Sequence, residues 1–318
     1  MRKRLLAVAC LIASYAGLSA DFKLEGEPFA IPNLEVVWKA PSNALPEKLW
    51  VYKCVSQEFS SNVISHLMAL GDFNEADRTH IQGQPPFKDR RIRYYANQER
   101  TRHLGIFPEL GWIDYADETA NYYGKERAKG VPSESETLEL ALKLLQNLEI
   151  EQGQLAGKEG TSQPYVYRSV RDRSFKDPDS GEKVKEVIRR GVSFVRRLDG
   201  INFTGMGADG GVGVAFGPRG RLASLEVVWR NLQRHKSYEV MQAADMVKAV
   251  KNGEAKRVPM DGGNPQTAGR LTVVKVTPFY LGDEGSSRQE FAYPFAALEC
   301  TVDGGSNRIV LKCPIIRH

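Results

Sequence analysis

Apolar residues recur along this chain at two periods, and the two alternate. After Pro132, Ser133 stands where a helix N-cap is expected and Glu136 completes a capping box. Leu138, Ala141, Leu142, Leu145 and Leu148 follow at helical spacing, so one side of that helix must be covered. Beyond a polar linker from Glu151 to Gln163 the period becomes two. PYVYRSV, VSFVRRL, INFTG, VGVAF and RLASLEVVW read as strands separated by turns. The same order occurs on either side. Phe59, Val63, Leu67 and Leu70 mark an earlier helix, followed by RIRYYAN, RTRHLGIF and WIDYAD. Val240, Ala243, Ala244, Val247 and Val250 mark a later one, followed by RLTVVKVTPFYL, QEFAYPFAALECTV and RIVLKCPII. GIFPELGWI and VAFGPRGRL share a plan of strand, Phe, Pro/Gly turn and strand. The expected class is α+β: tandem units, each with one helix packed on a curled antiparallel sheet. The expected units are 21–125, 126–232 and 233–318, after a leader at 1–20.

The glycines test one alternative. GMGADG, with Gly205, Gly207 and Gly210, has the G-x-G-x-x-G spacing of a dinucleotide loop. Such a loop must open a helix whose N-terminus carries the pyrophosphate. Here GVGVAFG follows, which alternates like a strand. The glycines read as a connection between strands, and no NAD, NADP or other cofactor is expected. Gly217-Pro218-Arg219-Gly220 suits a type I turn with a glycine bulge closing a hairpin.

The start of the chain speaks to location. Arg2, Lys3 and Arg4 precede an uncharged run from Leu5 to Leu18, and Leu18-Ser19-Ala20 supplies small residues. This is the pattern of a secretory signal peptide cleaved after Ala20. The alternatives are an uncleaved membrane anchor and a lipoprotein with Ala7-Val8-Ala9-Cys10 as its lipobox. Removing three basic residues from the 44 Lys+Arg leaves 41 against 39 Asp+Glu, a net of +2. That balance gives no basic stripe for nucleic acid. Arg189-Arg190 and Arg196-Arg197 read as a solvated strand face. Export permits disulfides, and three cysteines would remain: Cys54, Cys300 and Cys313. Asp303-Gly304-Gly305 marks the last turn, and Cys300 and Cys313 flank that hairpin almost symmetrically about Ser306-Asn307, so they could bridge. Two reduced, packed thiols are the alternative.

No motif announces chemistry. His66, His80, His103, His235 and His318 show no metal-ligand spacing. Asp177-Pro178-Asp179-Ser180-Gly181-Glu182 begins like a calcium loop but lacks its later ligands. Ser180-Gly181-Glu182-Lys183 spells S-x-x-K without the accompanying motifs. Both read as a turn between strands. Carboxylate pairs such as Glu25 and Glu27 cannot be placed across a cleft from sequence. No catalytic or metal residue is assigned, and the chain is expected not to be an enzyme. A secreted hydrolase with dispersed acids and a structural envelope component are the alternatives.

VAFGPRGRLASLEVVW, with VRRLDGINFTG before it and YEVMQAADMVKAVKNGE after it, resembles the PepSY domain and its extracytoplasmic relatives, including YycH/YycI-type regulators. LECTVDGGSNRIVL matches more loosely. The resemblance implies a PepSY/cystatin-like fold and a role outside the membrane. That role would be to restrain a peptidase or sensor, or to bind a peptide or envelope component. It carries no catalytic residues. Trp229 and Arg230 end a strand, and Trp and Arg concentrate binding energy at interfaces, so both are candidate partner contacts. Trp229 also continues the apolar face of its strand, which would make it core.

Overall fold

The computed structural model describes residues 27–41, 45–79, 92–121, 128–157, 164–176, 181, 183–204, 211–257, 268–282 and 289–317. In chain order these form β1 (Glu27–Pro28), β2 (Glu35–Trp38), β3 (Lys48–Val55), helix α1 (Ser61–Leu70), β4 (Arg93–Ala96), β5 (Arg102–Phe107) and β6 (Trp112–Asp117). Helix α2 (Glu134–Asn147), β7 (Leu155–Ala156), β8 (Tyr165–Lys176), β9 (Lys183–Leu198), β10 (Ile201–Thr204), β11 (Gly211–Phe216) and β12 (Leu222–Val228) follow. The last are β13 (Asn231–Glu239), helix α3 (Ala243–Lys251), β14 (Lys256–Arg257), β15 (Arg270–Leu281), β16 (Phe291–Ala292), β17 (Pro294–Val302) and β18 (Arg308–Pro314). Residues 1–26 with Cys10 and Ala20, GMGADG, 177–180, Glu182, His80 and His318 lie outside the described residues.

Two compact units emerge. One comprises Met1–Cys54, Leu232–Leu281 and Gln289–His318; the other comprises Val55–Asn231 and Gly282–Arg288. The expected boundary after 232 lies beside the seam at 231/232, whereas 125/126 falls inside the second unit.

In the second unit the strands run antiparallel in the order β4, β5, β6, β12, β11, β9, with β8 and β7 along the far side of β9. The two similar hairpins, β5–β6 and β11–β12, are therefore neighbours. Val227 pairs with Ile113 and Ser224 with Ala116. Each hairpin alone would leave an unpaired edge, and joining the two edges satisfies both. This overturns the expected tandem of a helix on its own sheet. Strands dominate, the helices among the described residues are three, and sequence-distant hairpins share one sheet. Helices α1 and α2 belong to one core with that sheet: Val63, Leu67, Ala141, Leu144 and Leu145 cluster with Leu104, Ile113, Val192, Val214 and Leu225. The capping box at the start of α2 forms in full between Ser133 and Glu136. Asp199 and Gly200 both take positive φ, 50° and 79°, as a two-residue hairpin turn requires. At the 217–220 turn Arg219 shares the left-handed region with Gly220, so the type I expectation is replaced by a tighter turn.

In the other unit β2 runs parallel to β15, which continues antiparallel to β17 and then β18. Strands β13, β3 and β16 form a separate small sheet. The N-terminal strands thus fold with the C-terminal segment. Helix α3 buries Met246, Ala249 and Val250, while Ala244 is exposed and Val240 precedes the helix in a bridge to Ile316. The expected apolar stripe was rotated by one row.

Candidate binding face of the second unit

Alternate residues of a strand point to opposite faces. In the second unit Tyr95, Leu104, Ile106, Ile113, Tyr115, Val192, Phe194, Val212, Val214, Leu225 and Val227 are buried in the core shared with the helices. Their neighbours on the other face are polar, small or aromatic, and most are only half-buried. Strand register orders one row across that face. Tyr94 stands beside Gly105, Gly105 beside Asp114, Asp114 beside Glu226, Glu226 beside Gly213, Gly213 beside Ser193 and Ser193 beside Tyr165.

Two carboxylates from sequence-distant strands are thereby set directly opposite one another. His103, diagonal to Asp114, places Nε2 3.1 Å from its Oδ2. The Tyr94 ring stacks on the imidazole, centroids 6.0 Å apart and 22° between planes. The hydrogen bond to Asp114 raises the His103 pKa above its ordinary value, against the opposing effect of burial. Partial desolvation, then the Asp114 charge, raises that of Glu226. Desolvation and Asp114 likewise raise the Tyr94 phenol.

Beyond Glu226 the face opens. Strand β11 presents Gly211, Gly213 and Ala215, and a Cβ built on Gly213 would meet nothing within 4 Å. At Gly191 the Tyr167 ring lies across the backbone, 2.4 Å from where a Cβ would stand, and stacks with Tyr165. Tyr165 is 57% exposed, an unusual state for a large ring. Arg189 donates from Nη2 to Ser224 Oγ at 3.3 Å, while its buried Nε has no partner in the structure.

The residues singled out from sequence lie elsewhere. Trp229 and Arg230 are each 7% exposed, so neither presents its side chain at a free surface. Trp229 belongs to the core, with the Arg196 guanidinium over its ring at 4.6 Å. Arg196 donates from Nε to Gln154 Oε1 at 2.8 Å and from Nη1 to the Arg230 carbonyl at 2.5 Å. Arg230 donates from Nε to the Leu110 carbonyl at 3.3 Å. Gly111, at φ 59°, lies so close that a Cβ would stand 2.7 Å from the Arg230 Cα. Arg196 is therefore a buried, hydrogen-bonded group and not part of a solvated face.

Cys300 and Cys313 are not bridged. Cys300 pairs with Ile309 and Cys313 with Ala296, because the Asp303-Gly304 turn centres the hairpin earlier than Ser306-Asn307. The two cysteines are thus four positions out of register, roughly 13 Å along the strands, too far for a disulfide. Burial pushes both thiols up to about 12.

Among the described residues no group of three or more His, Cys, Asp or Glu is placed to hold a metal. His66 lies 3.3 Å from the Asn147 amide, and His235 packs on Phe291. Among those residues no helix is long and apolar enough to cross a membrane. His103 was visible in sequence only as one unassigned histidine. Asp114, Glu226 and Tyr94 carried one usable signal, an acid or tyrosine at the outward position of an alternating strand.

No protein-family model matches the chain, and no curated protein does. Solved structures offer loose likenesses. An uncharacterized protein from Eubacterium rectale ATCC 33656 is 11% identical, with 87% of this chain and 85% of that one covered, at a TM-score of 0.43. The YpeB C-terminal domain of Bacillus megaterium is 12% identical, with 82% of this chain and 100% of that one covered, at a TM-score of 0.28. Neither defines a shared family.

Proposed function

We propose that the chain is an exported, non-enzymatic binding or regulatory protein of the cell envelope, PepSY-like in role, that holds a peptide or protein partner or restrains a peptidase. Its binding surface is the outward sheet face of the second unit. One observation carries this reading: a row of Tyr94, Asp114, Glu226, Ser193 and Tyr165 crosses a face whose reverse side packs into the apolar core. Cleavage after Ala20 belongs to the same proposal, and N-terminal sequencing of exported protein should begin at Asp21. A start at Met1 or at a lipid-modified Cys10 would replace export by anchoring.

Gly213→Trp tests the surface. The position is open, so the indole projects over the face without disturbing the core. Wild-type protein should retain a discrete partner from envelope extract, and the variant should lose it at an unchanged melting temperature. Equal retention by both proteins overturns the assignment of this face.

A second reading has one observation in its favour. β6 and β12 bring Asp114 and Glu226 opposite each other, with the Glu226 pKa raised as a general acid requires. A hydrolase would turn over glycan or peptide substrates and lose that activity on Glu226→Gln. No turnover in such a screen removes it.

A further inference from the structure

Carboxylates directly opposite on antiparallel strands repel, and such pairs destabilise a sheet. Here the pair is only half compensated. His103 serves Asp114. Among the described residues no cation acts on Glu226, whose pKa is raised by desolvation and by Asp114. The neighbouring position on the other side is Gly213, with open space above it. Along that strand the opening is confined to Gly213, since Gly211 and Ala215 on either side of it are buried. Adjacent strands lie about 4.8 Å apart, so an ammonium or guanidinium above Gly213 is within reach of the Glu226 carboxylate. On the other side, two strands from Gly213, the 57% exposed Tyr165 ring lies on the same face and offers aromatic contact to a long side chain.

We propose that this face takes a partner protein through a basic side chain, a lysine or arginine seated above Gly213 against Glu226 and Asp114. The inference rests on the reading of this face as the binding surface. It names the chemistry of the occupant from charge complementarity: an acidic pair in which no cation among the described residues compensates Glu226. After the expected cleavage basic and acidic residues nearly balance, 41 against 39, so a polycation is drawn only to where negative charge is concentrated.

Fluorescein-labelled hexalysine and hexaglutamate are titrated with the full chain and followed by anisotropy at low and physiological salt. Hexalysine should bind saturably and more weakly as salt rises, and hexaglutamate should not compete. Glu226→Gln and Asp114→Asn should each weaken hexalysine by about tenfold, the usual scale for truncating one partner of a close charge pair. Gly213→Trp should abolish its binding at an unchanged melting temperature, and the other two variants should stay folded, with melting shifts of a few degrees at most. Absent hexalysine binding, or binding indifferent to Glu226→Gln, overturns the basic occupant. The partner captured from extract then separates the two levels. Capture lost in Gly213→Trp but kept in Glu226→Gln leaves the surface intact and sinks the basic contact. Capture kept in both sinks the surface as well.

Discussion

The second unit holds charged groups on both sides of one sheet, in opposite circumstances. Arg196 is 7% exposed, yet its donors reach Gln154 and the Arg230 carbonyl and its plane covers Trp229. Glu226 is exposed as a residue, faces another carboxylate, and among the described residues has no compensating cation. Buried polar groups are satisfied internally because water cannot reach them. An outward group left poorly compensated by its own fold is free to be compensated by something else. The contrast separates a group that holds the unit together from one available to a partner.

The largest expected effect lies on the covered side. Trp229→Ala should destabilise the second unit by about 3–5 kcal/mol, the cost of removing a buried large aromatic. A urea midpoint near the wild-type value would show that the indole is not core. Arg196→Met comes next. It keeps the aliphatic stem over Trp229 but strands Gln154 Oε1 and the Arg230 carbonyl, a loss of about 1–3 kcal/mol. An unchanged midpoint would mean that water satisfies those acceptors and that the arginine is dispensable.

Smaller effects lie on the outward face. The His103 and Asp114 side chains are 34% and 36% exposed, so their pair is screened and worth at most ~1 kcal/mol. The His103 pKa is raised on folding, so its contribution is complete below the ordinary value of 6.5. It disappears as pH rises through the higher folded value. His103→Gln should therefore narrow the stability difference between mildly acidic and alkaline solution. An unchanged pH profile would mean that the imidazole does not sense Asp114 in solution. Glu226→Gln should do the least to folding. Its raised pKa means the ionised form is disfavoured in the fold, so neutral glutamine should stabilise by a few tenths of a kcal/mol at neutral pH, the scale of cross-strand charge effects. That gain vanishes below pH 4.5, where the wild-type carboxyl is protonated in both states. A substitution that weakens binding while slightly stabilising the fold marks a residue kept for function.

Some features depend only on neighbours in the chain, and these were legible in it. The Ser133 and Glu136 capping box is a local hydrogen-bonding preference, and it forms as read. The alternation in WIDYAD and RLASLEVVW likewise marked which residues would turn inward. Short helices were harder. In α3 the Val240 series and the Met246 series both fit helical spacing, and only the covering strands chose between them. The turn residues Asp303-Gly304-Gly305 were legible, but the centre of the hairpin was not, and its register sets Cys300 and Cys313 four positions apart. The larger division follows from what a strand edge is. An edge is a row of unpaired donors and acceptors with no memory of sequence distance. The similar hairpins that suggested separate units could thus pair with each other across β6 and β12, and β1 to β3 could join the C-terminal strands. The chain by itself determined which residues turn inward along each strand. The choice of neighbouring strand was tertiary, and with it came the opposition of Asp114 and Glu226 and the burial of Trp229 and Arg230, since only a completed sheet sets a residue beside partners a hundred positions away.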